Sequence, residues 1–477
     1  MIRIVISLYL AIFCVSAKAD VVLPNVFAHH MVLQRDQPVS IFGAADVGED
    51  VVVEFDGQRK STRANADGYW KIELKAMKAN AVGQTLTIRG KNEIRLNDVL
   101  VGEVWLCSGQ SNMEYPMRKI VKEKAPLKGE FPEHAVAEAN NAQIRVFLVR
   151  RKFLAKPDGR YEGWSVAQDS ALRQFSAPAY FFGKKLQEEL GVPVGIISSA
   201  VSGSRIEPWL SESSLQASPY FKDKKVGGDP GKFYHSMIEP LAPYTIKGFV
   251  WYQGETNVFL KETVAYAHKM KALISAWRAL WQNKKMPFYF TQIAPFHYSL
   301  DEKGEVSMDR TVLPEFREAQ DLVLQIPFTA RIITTDLVDN IHDIHPNYKW
   351  EIGRRHALKA LKYAYKKDIL ADGPEFRKVT YQGNKALVHF SGAGDGLQAV
   401  DGKPLTGFEV AGIDDKYYPA DAIIRNTTIV LQSEQVPQIR QVRFAWDEAA
   451  QPNLVNSAGL PAAPFRTNNP TKNLKLK

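Results

Sequence analysis

The chain has 477 residues, of which 45% are hydrophobic and 24% are charged, and its formal net charge is +9. These fractions are ordinary for a globular protein, and at about 150 residues per domain the length predicts roughly two to four domains. The basic residues are scattered along the chain. The excess charge therefore predicts weak attraction to anionic material such as acidic glycans, and it argues against nucleic acid as a partner.

Residues 1–19 have the pattern of a secretory signal peptide. Arg3 precedes an apolar run at 4–15, and the triplet at 17–19 is a small-x-small cleavage site. We therefore expect export to the periplasm or out of the cell. No later segment approaches the roughly 18 apolar residues of a membrane span, so none is predicted. Cleavage would leave Cys107 as the single cysteine, without a partner for an internal disulfide.

The rest of the chain changes texture twice. Residues 20–98 form short alternating segments separated by Asp-Gly turns, which predicts an N-terminal β domain. Residues 99–367 alternate apolar strands with helices, the pattern of a mostly parallel sheet covered on both faces. Residues 368–477 return to short alternating strands. The predicted fold class is therefore α/β, with a parallel sheet flanked by β-rich N-terminal and C-terminal regions.

Within the middle region, apolar runs predict strands and amphipathic patterns predict helices. The predicted strands are 101–106, 195–199, 246–251, 287–293 and 331–335, and the predicted helices are 177–190, 261–281, 313–324 and 348–366.

Polar sequences follow four of these strands. The first ends in Gly109-Gln110-Ser111-Asn112-Met113, and the others lead into residues 201–209, 251–257 and 336–346. The carboxyl ends of parallel strands meet at one edge of a sheet, where ligands of α/β folds bind. We therefore expect these polar groups to converge on one site.

Acyl transfer accounts for this set of residues. Ser111 would attack a carbonyl carbon, and a histidine held by a carboxylate would take its proton. The oxyanion would be held by the N–H groups of Ser111 and Gly203 and by an amide side chain from Gln253 or Asn257. Gly203 suits close approach of the backbone to a substrate. Position 113 is not glycine, so the nucleophile elbow of α/β-hydrolases is not matched.

These blocks resemble the sialate O-acetylesterase family, a branch of the SGNH hydrolase superfamily. The resemblance extends over nearly all of the chain after residue 19, at residues 23–27, 31–35, 102–114, 206–209, 251–257, 343–346 and 453–466. It implies an SGNH-type, flavodoxin-like catalytic domain. It also implies metal-independent removal of acetyl groups from sugars, with Ser111 as the nucleophile and His345 as the base.

The carboxylate partner of the histidine stays open at this point. Asp343 is the first choice for His345, but Asp339-x-x-His342 also fits the superfamily's spacing, and a Ser–His pair without an essential carboxylate is a third reading. The spacing of His342 and His345 is also compatible with a metal site. No further cluster of ligands completes a tetrahedral set, so no metal or cofactor is predicted.

The residues and the resemblance together predict an exported carbohydrate O-acetylesterase acting on O-acetylated sialic acid. An esterase for acetylated xylan or another plant glycan is the alternative, and a non-catalytic glycan-binding protein is the alternative of another class. Arg205 follows Gly203 by two residues and is predicted to bind the sugar carboxylate, or else to pair with Glu207 or Glu255. The acetyl position and the oligomeric state are not predicted.

Overall fold

The computed structural model describes residues 20–120, 122, 125–149 and 163–476, so the predicted signal peptide lies outside the described residues. The N-terminal region is built of β-strands, and Asp56 and Gly57 join two of them in a tight hairpin with φ values of 49° and 70°. The strands are β1 (Val32–Gln34), β2 (Val39–Ala44), β3 (Asp50–Phe55), β4 (Gln58–Arg63), β5 (Tyr69–Leu74), β6 (Asn80–Arg89) and β7 (Glu93–Gly109).

Strand β7 belongs to both the N-terminal and the central region. Its first part pairs antiparallel with β6 and parallel with β1, and its second part is the middle strand of the central sheet. The predicted boundary between residues 98 and 99 therefore falls inside one strand. This shared strand joins β1, β3, β4 and β6 to the central strands in one mixed sheet, whereas β2 and β5 pair separately.

The central sheet is mostly parallel, in the order β13-β12-β11-β7-β10-β8-β9, and only β9 pairs antiparallel. Without β8 and β9 the chain order of the strands is 2-1-3-4-5, which is the flavodoxin-like doubly wound arrangement. The strands after β7 are β8 (Ile144–Leu148), β9 (Ser165–Val166), β10 (Val194–Ala200), β11 (Gly248–Tyr252), β12 (Phe288–Thr291) and β13 (Thr329–Ile332).

Helices connect these strands. In α4, Ser176 caps the first turn by accepting from the Ala179 N–H, and Gly191 ends the helix in the left-handed conformation. The α-helices are α1 (Ser111–Glu114), α2 (Met117–Ile120), α3 (Asp169–Gln174), α4 (Ala177–Leu190), α5 (Glu212–Gln216), α6 (Glu255–Phe259), α7 (Val264–Leu280), α8 (Val312–Leu322) and α9 (Lys349–Tyr363). None of the described helices is long and apolar enough to cross a bilayer.

The C-terminal region is β-rich, with antiparallel sheets in the orders β14-β15-β20-β19 and β18-β17-β21-β23 and the pair β16-β22. Its strands are β14 (Glu375–Gln382), β15 (Lys385–Ser391), β16 (Leu397–Ala399), β17 (Phe408–Ala411), β18 (Tyr417–Pro419), β19 (Asp421–Arg425), β20 (Thr428–Gln432), β21 (Gln441–Phe444), β22 (Leu454–Asn456) and β23 (Phe465–Arg466).

The hydrophobic core follows this division. One buried cluster runs from Val21 to Leu361 and includes both the N-terminal region and the central sheet, whereas a second cluster lies between Ala386 and Phe465. The N-terminal strands therefore pack on the central region and do not enclose a separate core. The two clusters meet across charged pairs, among them Arg466–Glu318 and Arg310–Asp447.

Each of the five predicted central strands corresponds to an observed strand, and the four predicted helices correspond to α4, α7, α8 and α9. Strand β8 was not predicted, although Ile144–Leu148 is an apolar run of strand length interrupted by Arg145. The Arg145 side chain is buried and pairs with Asp98 in the N-terminal region. The charge of Arg145 is thus paired with a carboxylate from another region of the chain. The local sequence pattern around residue 145 cannot indicate such a distant partner.

Candidate active site

A pocket of about 860 Å³ opens at the carboxyl edge of the central sheet. It is lined by residues that follow β7, β10, β11 and β13, including Ser111, Gly203, Thr256 and His345. The pocket lies where the strand order reverses, which is the usual ligand position in a doubly wound sheet. The polar sequences that follow these strands contribute to one site.

Ser111 is the first residue of α1 and comes two residues after the end of β7. Gly109 has a φ of 145°, and a Cβ atom at this position would come within 2.0 Å of the Tyr252 carbonyl oxygen. Only glycine lets β7 and β11 approach this closely at the turn. The turn leaves the Ser111 hydroxyl in the pocket and its N–H at a helix N-terminus.

His345 is brought to Ser111 by the loop between β13 and α9. Its Nε2 lies 2.9 Å from the Ser111 Oγ, although 234 residues separate the two in sequence. A neutral imidazole with its proton on Nδ1 accepts the serine hydroxyl at Nε2. This is the contact that a general base needs in order to remove the proton during attack.

The environment of His345 favours the neutral form. Burial lowers the pKa of the imidazole below its usual 6.5, and the positive charges of Lys349 and Lys119 lower this pKa further, against a raising effect of Asp343. An uncharged ring is available as a base over a wider acidic range than an ordinary histidine. The electrostatics therefore agree with the role that the hydrogen bond indicates.

Asp343 is the carboxylate beside His345. Its Oδ1 lies 3.4 Å from the His345 Nδ1 and accepts the backbone N–H of the same histidine at 2.8 Å. The Asp343 side chain is 56% exposed. Asp343 therefore orients the ring from a solvated position, and its contact is looser than that of a buried triad carboxylate.

The second-choice residues of the same loop face elsewhere. Asp339 accepts hydrogen bonds from the Leu127 N–H and the Tyr348 hydroxyl, and the His342 ring lies 4.9 Å from the ring of His297. In the described part of the chain, no group of three His, Cys, Asp or Glu residues could hold a metal ion. The structure thus brings His345 and not His342 to Ser111.

The predicted amide donors need correction. Gln253 and Asn257 are fully buried and lie outside the pocket lining. The Gln253 Nε2 donates to acceptors on Gln110, Ser204 and Asn257, and the Asn257 Nδ2 faces Glu207 at 3.5 Å. Both amides form hydrogen bonds with other buried groups behind the pocket. Gly203 does line the pocket, with a φ of 70°, so its N–H and that of Ser111 remain candidate backbone donors.

A buried polar network was not recognised in the sequence. The Asn112 Nδ2 donates to the Glu255 Oε1 at 2.6 Å and to the Ile344 carbonyl at 3.0 Å, while the Lys349 Nζ donates to the Asn112 Oδ1 at 2.6 Å. Burial raises the pKa of Glu255. Asn112 therefore fastens the serine turn to the histidine loop. Two features of the sequence could have indicated this network: Asn112 directly follows Ser111, and Glu255 belongs to the polar sequence at residues 251–257.

Arg205 also needs correction, because it lies outside the pocket lining. Its side chain packs beside Gly228, where a Cβ atom would come within 3.3 Å of the Arg205 Cδ. No ion pair with Glu207 or Glu255 joins it in the described residues; Glu207 pairs with Lys269. Four residues after Gly203, the chain begins the Glu207–Trp209 helical turn, whose three residues are buried and lie outside the pocket lining.

Among the described residues, the Lys and Arg side chains that line the pocket are those of Arg118 and Lys119 in α2. Both are exposed, and among the described residues neither forms an ion pair with a carboxylate. The Lys119 ammonium lies 4.9 Å from the centre of the Tyr115 ring. The wall formed by α2 is therefore positively charged and accessible to a ligand. Phe259 lines the pocket as well, and it is 42% exposed.

Comparison with known proteins agrees with this geometry. A family model described as carbohydrate esterase, sialic acid-specific acetylesterase, matches residues 101–362. The sialate O-acetylesterase of Rattus norvegicus is 28% identical over 518 residues, with 92% of each chain covered. That of Homo sapiens is 28% identical over 487 residues and covers 91% of this chain and 90% of its own.

A solved structure extends the similarity to the whole architecture. The crystal structure of a carbohydrate acetylesterase from Xanthomonas citri superposes with a TM-score of 0.82 at 36% identity. The alignment covers 94% of this chain and 100% of that one. The similarity thus includes the flanking β-rich regions and not the central sheet alone.

Proposed function

The chain belongs to the sialic acid-specific acetylesterase family of carbohydrate esterases, and from that premise we propose that it removes O-acetyl groups from sialic acids outside the cytoplasm. Its general activity is that of a carbohydrate O-acetylesterase, a carboxylic-ester hydrolase. The observation that carries the catalytic part is the 2.9 Å contact between the Ser111 Oγ and the His345 Nε2 inside the pocket.

The proposed mechanism is acyl transfer in two halves. The Ser111 Oγ attacks the acetyl carbon while the His345 Nε2 takes its proton, and the charge that forms on the carbonyl oxygen is held by the N–H groups of Ser111 and Gly203. The histidine returns the proton to the sugar oxygen as the ester bond breaks. Water then attacks the acetyl-serine with the same help from His345 and releases acetate.

The preference for an acidic sugar has support from charge. Sialic acid carries a carboxylate, and Arg118 and Lys119 are exposed cations on the pocket wall. Charge-assisted hydrogen bonds to a carboxylate are about twice as strong as neutral ones. In the proposed complex these two residues, and not Arg205, bind the carboxylate of the sugar while its acetyl group reaches Ser111.

The alternative is a neutral or plant-glycan acetylester. The Xanthomonas citri protein, which at 36% identity is more similar to this chain than the 28% identical sialate O-acetylesterases, is described as a carbohydrate acetylesterase with no sugar named. The deciding experiment measures acetate release from O-acetylated sialic acid and from acetylated xylan by the same preparation. A much larger kcat/KM on sialic acid supports the proposal, and a larger value on xylan replaces it with the alternative.

The role of the two cations is tested with the same substrates. We expect the double variant Arg118→Met, Lys119→Met to raise KM for acetylated sialic acid about tenfold, because a charge-assisted contact is lost. A small neutral acetate ester should change little. Arg205→Met, at an arginine outside the pocket, is the matched control. Equal losses on both substrates in the double variant would contradict carboxylate binding by α2.

Export is proposed from the pattern at residues 1–19. N-terminal sequencing of protein recovered outside the cytoplasm should find Asp20 as the first residue. Protein that remains in the cytoplasm with Met1 in place would contradict this part of the proposal.

A further inference from the structure

The pocket lacks the amide donor that the sequence predicted. Ser111 and Gly203 line the pocket and can each offer a backbone N–H to an oxyanion, but Gln253 and Asn257 are buried and lie outside the pocket lining. A third donor strengthens an oxyanion hole, and the loss of one donor costs about 10²–10³ in kcat in a serine hydrolase. The buried amides themselves indicate which side chain takes this place.

The orientation of these amides is determined by backbone groups whose roles are unambiguous. The Ile206 N–H can only donate, so the atom of Asn257 that it contacts at 3.2 Å is the oxygen. The Ser204 carbonyl can only accept, so the atom of Gln253 that lies 3.1 Å from it is the nitrogen. The oxygen and nitrogen of an amide are otherwise hard to distinguish, and such contacts are what assigns them.

The same logic assigns the amide of Gln110. Its Oε1 accepts the Gln253 Nε2 at 3.1 Å and faces the Gly254 N–H at 3.4 Å. Both neighbours are donors, so this atom is the oxygen and the nitrogen points away from them. Gln110 is only 3% exposed and lines the pocket, and its Nε2 has no acceptor among the described residues.

We propose that the Gln110 Nε2 is the third donor of the oxyanion hole. When the Ser111 Oγ bonds to the acetyl carbon, the carbonyl π electrons move to the oxygen, and the N–H of Gln110 donates to that oxygen beside the N–H groups of Ser111 and Gly203. The C–O bond to the sugar then breaks as the negative charge returns to the carbonyl. A nearly buried donor without a competing acceptor is suited to this task.

The buried network keeps this donor in place. Gln253 holds the oxygen of Gln110 and is itself held by Asn257, whose amide faces Glu207, and Glu207 pairs with the buried Lys269 at 2.6 Å. Rotation of the Gln110 amide by 180° would place its nitrogen against the N–H groups of Gln253 and Gly254. Gln253 and Asn257 are therefore positioning residues for Gln110, the residue that precedes the nucleophile.

The test uses a small neutral acetate ester, so its outcome does not depend on which sugar is the natural substrate. Gln110→Met keeps the length of the side chain without a donor or an acceptor, and Gln110→Glu keeps the acceptor for Gln253 and Gly254 without an amide N–H. We expect kcat to fall about 10²–10³-fold in both variants, with KM nearly unchanged. Tm should fall by no more than a few degrees in Gln110→Glu.

A phosphonate ester gives a readout that a structural role would not move. Its phosphoryl oxygen occupies the oxyanion position when Ser111 is modified, so the rate of phosphonylation should fall in parallel with kcat. Gln187→Glu is the matched control, because the Gln187 oxygen likewise accepts a hydrogen bond, from Asn141 at 2.8 Å, on α4 outside the pocket. It should leave both rates unchanged.

Two outcomes would overturn the proposal. Near-normal kcat in folded Gln110→Met removes the donor role altogether. Normal kcat in Gln110→Glu beside a loss in Gln110→Met assigns the residue a structural role through its oxygen. A Ser111→Ala variant of full activity would instead remove Ser111 as the nucleophile, a failure of the proposed mechanism that is distinct from both.

Discussion

At the scale of single residues, the state of His345 decides when the site can work. Its Nε2 must be unprotonated to accept the Ser111 proton, and burial together with Lys349 and Lys119 lowers the pKa of the ring. The acidic limb of activity reports this pKa directly, because protonation of the free enzyme removes the base.

We therefore expect kcat/KM for a neutral acetate ester to fall with acid only at pH values below about 6.5, the pKa of an ordinary histidine. Lys119→Met removes a positive charge that lowers the pKa of His345, so it should move the acidic limb to higher pH. Lys222→Met, on the exposed surface outside the pocket, is the control. An acidic limb above 6.5 in the wild type, or no shift in Lys119→Met, would contradict this view of the base.

Substitutions at the two histidines and the two aspartates of the loop before α9 should lower kcat by different amounts. His345→Ala should lower kcat by about 10⁴ or more, whereas His342→Ala should have little effect, because only His345 contacts Ser111. Asp343→Asn should cost less than about 100-fold, against about 10⁴ for a buried triad carboxylate, since Asp343 is exposed and 3.4 Å from the ring. Steady-state kinetics on one ester compares them. A larger loss in Asp339→Asn than in Asp343→Asn would reverse the carboxylate assignment.

At the scale of elements, the serine turn depends on the close approach of β7 and β11. Part of this could be predicted: Gly109-Gln110-Ser111 after an apolar run indicated a strand end with a hydroxyl, and His345 was expected beside it. The directions of the side chains could not be predicted. Gln253, Asn257 and Arg205 belong to the polar sequences that were expected to line the pocket. Their actual contacts, with Gln110, Glu207 and Gly228 respectively, depend on how the elements pack against one another.

Gly109→Ala tests this close approach. Its Cβ would lie 2.0 Å from the Tyr252 carbonyl oxygen at a φ of 145°, so the strands must separate. We expect destabilisation by at least about 3 kcal/mol and loss of esterase activity, because several strained contacts combine. Gly191→Ala is the matched variant: it has φ 63° but nothing within 4 Å of the added Cβ, and it should cost only about 1 kcal/mol. Urea unfolding measures both, and equal effects would contradict the steric argument.

At the scale of the whole molecule, the pattern of short strands correctly indicated β-rich regions on both sides of the central sheet. The pattern did not indicate that the N-terminal and C-terminal regions differ in how they contact the central sheet. The N-terminal strands share β7 and one hydrophobic cluster with the central region, whereas the C-terminal region has its own cluster and meets the rest through charged pairs. Contacts between regions are non-local, and periodicity within a segment carries no information about them.

Two matched core variants test this difference. Val53 in β3 and Val442 in β21 are both fully buried, in the first and second clusters respectively. Val53→Ala should lower the temperature at which esterase activity is lost by a few degrees, because a cavity costs roughly 1–2 kcal/mol in the cluster that supports the site. Val442→Ala should lower a separate calorimetric transition and leave that temperature nearly unchanged. Equal effects on activity loss would contradict the division.

The central claim is that Ser111 is the nucleophile of an acyl-transfer reaction at this edge of the sheet. The most direct measurement is the turnover of an acetate ester by purified Ser111→Ala, with its fold confirmed by circular dichroism and an unchanged Tm. We predict that kcat falls by about 10⁴ or more while the fold persists, because the hydroxyl that attacks the carbonyl carbon is gone. Turnover near that of the wild type in a folded sample would contradict the account.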